Sequence, residues 1–593
     1  MVWYPLMSRL YPPKPIPGDT NYLSAATNSA DTNAVAQAAT SSPASPPSLV
    51  QAPRAEWEYA GEPEQLLTVA NDECRYVFTT HGGGIKFIEL LHYPESIQTR
   101  RQARGETNNL ASLNTDAPLP VLAIMDGRTT QGDGVFSLTK AADGVRAEKH
   151  LTNGLYLVKD FKLSSNFLVQ ASVRFENRST QSLSLPPQEW ATGAATPMGP
   201  IDKGMFVAMM WYNGVRTEEI NEAWFANRTL GCLPGTPRTE YLAGDGATNI
   251  VWTAVHNQFF TLAAMPQSGA PRLVARQIHL PPPSAAELAA NPQTATKPMG
   301  IETSLVYPGA VLQPNQSIER RFVLYAGPKE YNTLAKLGIQ FGNNLDLVMG
   351  FGGFFGFFAK ALLLSMNGLH NFLGVSYGIA IIAITVIIKV VFWPLTNAST
   401  RSMKRMAALQ PQMNQLREKY KDDPKKMNSR LMEFMKENKV SPMGGCLPML
   451  LQIPVFFGFY RMLQSAIELR GAQFLWAADL SSPDTVWYLP GLHFPVNPLP
   501  LIMGVTMLWQ SHLTPPSPGV DPMQQKMMKY MPLMFIVFLY NFSAGLSLYW
   551  TVQNLLSILQ TKITKMGPTT STGAPLKPAT PYINLLGKGK KKK

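Results

Sequence analysis

From about Trp57 to Gly327 apolar and polar positions alternate with period two. In "FLVQASVRFE", Phe167, Val169, Ala171, Val173 and Phe175 point one way, and Leu168, Gln170, Ser172, Arg174 and Glu176 point the other. That alternation predicts a half-buried strand. "RYVFTT", "GIKFIEL", "LYLVKDFKL", "NIVWTAV" and "RRFVLYAG" repeat the pattern between Gly, Pro, Asn and Asp turns. The prediction is an antiparallel β-sandwich over 56–330. The texture then changes. Residues 331–375, with "FGGFFGFFAKALLLSMNGLHNFLG", suit a helix lying at an interface. Long apolar runs follow within 376–565, with candidate membrane spans at about 376–395, 446–464, 488–510, 530–545 and 546–562. Prolines 394, 448, 454 and 532 fall inside these runs. Prolines are tolerated there only where neighbouring helices or water satisfy the freed carbonyls, which points to a packed bundle.

Between the first two runs lies a segment of a different kind, 398–440. Met403, Met406, Leu409, Met413, Leu416 and Tyr420 recur at three- and four-residue spacing, giving one apolar stripe. "KDDP" interrupts it, and Met427, Leu431, Phe434 and Met435 begin a second. Two amphipathic helices in an antiparallel hairpin are expected. The stripes pack on each other, or their flexible methionines also receive varied apolar segments; the two readings are compatible. Residues 1–55 are rich in Pro, Ala, Ser, Thr and Asn, the composition of a linker.

Charge orients the bundle. The chain carries a formal +13, and its placement matters more than its size. Residues 401–439 hold eleven Lys/Arg against five Asp/Glu, whereas 466–486 hold Arg470 alone against Glu468, Asp479 and Asp484. The tail from 561 has eight lysines and no acid. Short Lys/Arg-rich loops stay cytoplasmic. The hairpin and the tail (566–593) are then inside, with the β-domain outside. Topology thus accounts for the basic charge without nucleic acid.

Chemical motifs are few. "HGGG" at 81–84 and "GVSYG" at 374–378 mimic parts of a serine hydrolase, but a nucleophile elbow must follow a strand, and Ser376 opens an apolar helix. The glycines read better as a strand-to-strand turn needing positive φ. No nucleotide-binding or zinc-protease signature occurs, and neither cofactor nor catalytic residue is expected. Cys74, Cys232 and Cys446 make no metal spacing; a Cys74–Cys232 pairing stays open.

Lys389 stands out. A lysine at the centre of a membrane helix costs about 2.5–3.5 kcal/mol on insertion scales. Counting from Ser376, Lys389 lies roughly 20 Å into the span, within the cytoplasmic half. It snorkels past Trp393 to the inner headgroups, or it faces a wet interior. Thr385, one turn away, and Gln452, Asn541, Ser547, Gln553 and Asn554 in other spans favour the interior, where polar groups from several helices can converge. A cation there would attract acidic or polar segments of a chain entering the bilayer.

"KVVFWPLTNASTRSMKRMAALQPQMNQLREKYKDDP" (389–424), "VSPMGGCLPMLLQIPVFFGFY" (440–460), "LIMGVTMLWQ" (501–510), "DPMQQKMMKYMPLMF" (521–535) and "SAGLSLYWTVQNLLSILQ" (543–560) together resemble the YidC-type membrane protein insertase family. "GGGIKFIELLHYP" fits that family's first strands more loosely. The resemblance implies a periplasmic all-β supersandwich, then a polytopic α-helical membrane bundle of five core helices around a hydrophilic groove, with a cytoplasmic helical hairpin. It implies a bacterial inner-membrane protein that inserts and folds membrane proteins without nucleotide hydrolysis, alone or with the Sec translocon. Lys389 falls at the groove arginine of the Gram-negative pattern, and lysine lacks arginine's bidentate fork. Thr385 and Trp550 fall at client-contacting positions; Gln452 and Asn554, polar residues of other spans, complete the expected groove set. Met403, Met406, Met413, Met427 and Phe434 would be the hairpin's apolar contacts. Nascent membrane proteins, Sec components, the ribosome at the basic tail and anionic lipids are the implied partners. Two rival classes are a transporter or channel with Lys389 as counter-ion and a sugar-binding or sugar-modifying β-domain. The transporter would show inverted repeats with broken helices, which are not seen.

Two departures from the family pattern remain. "GLHFPVNP" (491–498) looks like an insertion, and "MVWYPLMSRLYPPKP" is too polar to be the family's signal-anchor. Since the β-domain must be exported, the true start is expected upstream, with a sixth helix before Trp3.

Overall fold

The computed structural model describes residues 61–97, 109–125, 128–199, 204–228, 235–244, 249–285, 296–438, 447–489, 494–513 and 522–566, with residues 202 and 288. The expected linker, start-site helix and basic tail, and Cys232 and Cys446, lie outside these residues.

The N-terminal half is a β-sandwich of antiparallel sheets. Nine strands run in the spatial order Thr217–Asn221, Ala208–Tyr212, Trp252–His256, Phe260–Pro266, Ser317–Pro328, Leu168–Asn177, Leu155–Leu163, Gly144–His150 and Ser137–Ala141. A four-stranded sheet (Gln188–Ala195, Met299–Tyr307, Arg272–His279, Glu240–Ala243), another (Leu66–Ala70, Cys74–Thr79, Gly84–Pro94, Leu110–Leu113) and a two-stranded one (Leu183–Leu185 with Ala310–Leu312) accompany this sheet. Trp190, fully buried, sits in the core with Phe175, Phe322 and Tyr307 around it at centroid distances of 5.9, 5.5 and 5.7 Å.

Period two holds for Val169, Ala171, Val173 and Phe175, all buried in that core. Phe167 departs from it. Asn166 and Phe167 both have positive φ, 60° and 63°, as a tight hairpin turn requires. Their amides donate to the two carboxylate oxygens of Glu73 at 3.0 and 2.9 Å. The period also fails in "WTAVH" and "FTLAAMP", which are buried at every position. Those strands are covered on both faces, so no side chain of theirs meets water.

Helix α1 (Tyr331–Phe341) supplies part of that second cover through Tyr331, Leu334 and Leu337. The expected interfacial segment at 331–375 is therefore divided: α1 belongs to the sandwich, and only α2 (Gly353–Leu373) is left to lie along an interface. Trp252 Nε1 donates to Asn343 O at 2.9 Å, fixing the turn after α1.

The remaining helices are α3 (Tyr377–Val391), α4 (Trp393–Ala408), α5 (Gln410–Lys419), α6 (Pro424–Glu437), α7 (Leu447–Ser465), α8 (Pro498–Leu513), α9 (Pro522–Leu539) and α10 (Ala544–Met566). Among the described residues no single helix is long and apolar enough to cross a membrane; α2 and α3 pass that test together, bent by 118°. Gly374 makes the bend with φ 63°. The expected span 488–510 is corrected at its start. A two-stranded hairpin, Trp487–Leu489 with Phe494–Val496, fills its first part, and the helix begins at Pro498. Proline suits a first helical turn, where its missing N–H costs nothing. Helices α9 and α10 begin earlier than expected, at 522 and 544.

The first arm of the 398–440 hairpin is also two helices rather than one. Pro411 lacks the N–H that would continue α4 into α5. Asp423 then caps α6, accepting from Lys426 N at 3.0 Å.

A loop from the helical region is clasped to the sandwich. Arg470 Nη2 donates to Pro94 O and Glu95 O at 2.6 and 2.9 Å, with its guanidinium over Phe259 and Phe260. The turn at 82–83 is as expected: Gly82 and Gly83 have φ of 76° and 56°. Lys159 holds it from beneath, donating to Gly82 O at 2.6 Å and Leu122 O at 2.7 Å. Cys74 is a buried free thiol.

Burial lowers the Lys159 ammonium from 10.5 to about 7. The unfolded chain therefore binds more protons between these two pH values, and Lys159 adds stability as pH rises through that window. The melting temperature of the β-domain relative to a Lys159→Met variant should increase from pH 7 to pH 10, measured by scanning calorimetry. An unchanged difference would contradict this account of Lys159.

Candidate functional site

Helix α10 organises the helical region. Ser547, Thr551, Gln553, Asn554, Ser557, Gln560 and Thr561 recur along it at spacings that keep them on adjoining faces. Most of this polar stripe is turned inward, and Ser547, Thr551, Asn554 and Gln560 are buried.

Each neighbouring helix supplies a partner. From α3, Lys389 Nζ donates to Ser557 Oγ at 2.8 Å. From α7, Gln452 Nε2 donates to the Tyr549 hydroxyl, and Gln452 Oε1 accepts from Gln553 Nε2 at 2.9 Å. From α8, Thr506 Oγ1 accepts from Asn554 Nδ2 at 3.1 Å. From α4, Thr396 Oγ1 accepts from Gln560 Nε2 at 2.7 Å. In an apolar surrounding such groups have no water to turn to, so these bonds fix the rotation of α10 against its neighbours.

Lys389 is the unusual member. It is only 8% exposed, yet among the described residues it forms no ion pair. Ser557 takes one of its three donors, and Ser557 in turn donates to Gln553 O. The Lys389 head thus lies between α3 and α10. Thr385 is fully buried, and its hydroxyl donates to Ile381 O in its own helix at 2.7 Å. Trp550 is half-buried among rings from two other helices, Phe456 on α7 at 4.8 Å and Phe535 on α9 at 5.8 Å.

Of the sequence-derived set, Lys389, Gln452 and Asn554 belong to one hydrogen-bonded stripe, and Thr385 and Trp550 flank it. The hairpin residues lie elsewhere. Met406, Met413 and Phe434 are buried in the seam of the hairpin itself, and Met427 packs against it; the Met403 side chain is outside the described residues. Ser557, Thr506, Gln560 and Thr396 were missed by the sequence reading. Ser557 and Gln560 were detectable, because they continue Asn554 at three-residue steps on α10. No group of His, Cys, Asp and Glu suited to a metal occurs among the described residues.

Two family models match this chain. One, described as the YidC periplasmic domain, covers residues 66–364, and the other, described as the 60Kd inner membrane protein, covers 368–570. A membrane protein insertase YidC from Pelobacter propionicus is 33% identical over 506 residues, 84% of this chain and 86% of its own. Another, from Syntrophus aciditrophicus, is 31% identical over 582 residues, 93% of each chain. A crystal structure of an active YidC insertase with its first transmembrane domain resolved shares 18% identity, covering 86% of this chain and 95% of that one. Its TM-score is 0.33.

The stripe makes a graded prediction. Gln452→Leu strands the Gln553 amide and should destabilise the detergent-solubilised protein by about 1–2 kcal/mol, the upper range for such bonds between membrane helices. Thr385→Val is nearly isosteric and removes only a bond to the carbonyl four residues earlier in its own helix, so it should cost less than Gln452→Leu. Thermal unfolding of both variants checks the order; the reverse order would contradict the assignment of Gln452 to the stripe.

Proposed function

The chain belongs to the YidC membrane protein insertase family, and from that premise we propose that it inserts and folds integral membrane proteins along the polar face of α10. In this reading α3, α7, α8, α9 and α10 cross the bacterial inner membrane. The β-domain lies in the periplasm, and the α4–α6 hairpin and the tail lie in the cytoplasm. Helix α3 alone spans only about 22 Å, less than a hydrocarbon core of about 30 Å. The first turns of α4, with Trp393, extend it toward the cytoplasmic headgroups.

One observation carries the proposal: Lys389 is enclosed by helices and, among the described residues, has a single neutral acceptor. A cation so placed is poorly compensated unless water or a client's polar group supplies the remaining acceptors. Insertion then proceeds over a lowered barrier. The polar stripe hydrates the translocating end of the client while its apolar segment leaves sideways toward lipid, past Trp550 and Phe535. No nucleotide is consumed. Sec translocon components, the ribosome at the basic tail and anionic lipids are the partners this reading assigns. Because Met406, Met413, Met427 and Phe434 close the hairpin on itself, a client contact there requires that seam to part.

A charge-assisted hydrogen bond contributes about 1.5–3 kcal/mol, so losing it should lower insertion roughly tenfold or more. Lys389→Ala is expected to show that loss for clients with acidic translocated tails, whereas Lys389→Arg retains activity, measured by protease protection of clients in proteoliposomes. Equal insertion by the alanine variant would reduce Lys389 to a structural residue. Deleting 403–437 should leave the sandwich and remaining helices folded but slow client capture. An unchanged rate would remove the hairpin from the mechanism.

A further inference from the structure

The β-hairpin of Trp487–Leu489 and Phe494–Val496 has no role in the polar stripe, yet it is firmly built. Tyr540, just beyond α9, donates its hydroxyl to Pro495 O at 2.7 Å and stacks on Phe494 with centroids 5.1 Å apart. Asn497, fully buried, donates to Tyr540 O at 2.9 Å and accepts from Thr485 Oγ1 at 2.7 Å. Asp484 accepts from Leu499 N at 2.7 Å and from Trp476 Nε1 at 2.9 Å. The hairpin's root is thus locked to the start of α8 and the end of α9.

Its outer part has the opposite character. Trp487, Tyr488, Leu489 and Phe494 are 53%, 47%, 39% and 48% exposed. Successive strand residues point to opposite faces, so both faces of this small sheet present apolar rings. Two-stranded sheets are marginal in water, and exposed aromatic faces add to that cost. From 485 to 520 the chain contains no Asp, Glu, Lys or Arg.

We propose that this hairpin is an aromatic anchor seated at the headgroup level of the outer leaflet, in contact with phospholipid. The proposal rests on the membrane reading of α8 given above. A protein partner would cover one face and leave the other wet, whereas a fluid interface covers both. Trp and Tyr are the side chains enriched at that level, where a ring is apolar and its N–H or O–H stays wet. Leu501, Ile502 and Val505, in the first turns of α8 that follow the hairpin in sequence, are exposed as well. Helix α8 is 16 residues long, about 24 Å, short of a core of about 30 Å. The anchor covers the missing outer depth without burying strand edges in hydrocarbon, where they could not be satisfied. It fixes the height of α8, and through Asn554–Thr506 the height of the polar stripe.

The test uses the full chain in phosphatidylethanolamine–phosphatidylglycerol vesicles whose acyl chains carry bromine either near the headgroup or near the methyl end. The signal is the tryptophan fluorescence lost on Trp487→Phe. Headgroup-proximal bromine should quench that signal roughly twofold more than methyl-end bromine. Quenching by aqueous iodide with neither bromolipid effective would overturn the anchor. Protection from iodide and both bromolipids would also overturn it, by showing a protein cover. The difference signal of Trp509→Phe on α8 separates the two readings. Trp509 quenched by acyl bromine beside an unquenched Trp487 refutes the anchor alone, whereas neither being quenched refutes the membrane reading.

Discussion

A polar group on an apolar helix has to find its partner inside the protein. Almost everything about the helical region follows from that constraint acting on α10. Its inward residues are answered by Lys389, Gln452, Thr506 and Thr396, one from each of four other helices. Each bond is worth little, about 0.6 kcal/mol on average between membrane helices. Their combined effect is on specificity: only one rotation of α10 satisfies them all. Lys389 is the exception: among the described residues it has one acceptor, Ser557, which leaves a cation incompletely compensated.

The same reasoning links the β-domain to the helices. The nine-stranded sheet is buried on both faces near Trp252 and Phe260, because α1 and the turn after it cover the side away from Trp190. Arg470 then reaches from the loop after α7 to two carbonyls of the sandwich. Glu468, two residues earlier, accepts from Asn367 on α2 at 2.9 Å, and burial raises its carboxyl. One loop therefore ties α2, α7 and the sandwich together.

The sequence reading succeeded where a residue's environment is set by its own element. The half-buried strand within 167–176 and the amphipathic stripes of the hairpin were legible from periodicity, and the turn at 82–83 from its glycines. It failed where tertiary cover or turn chemistry intervened. Phe167 was placed in a strand because alternation cannot show a turn with positive φ, and Glu73, which holds that turn, is far away in sequence. Helix α1 was grouped with the interfacial segment because the aromatic run at 351–374 was extended back to 331, and nothing local marks where the sandwich's cover ends. The start of α8 was missed because "VWYLPGLHFPV" is as apolar as a helix would be. At the site, Lys389, Gln452 and Asn554 were recognisable as costly residues, whereas Ser557 and Thr506 are too ordinary in helices to draw notice alone.

The central claim is that clients travel along the polar face of α10 between α3 and α9. Site-specific photocrosslinking to stalled nascent membrane proteins tests it most directly, with the probe placed in turn at Thr385, Trp550 and Val390. Val390 is 62% exposed and points away from the stripe. The account predicts client crosslinks from 385 and 550 and mainly lipid adducts from 390. Client crosslinks from 390 with none from 385 or 550 would contradict it.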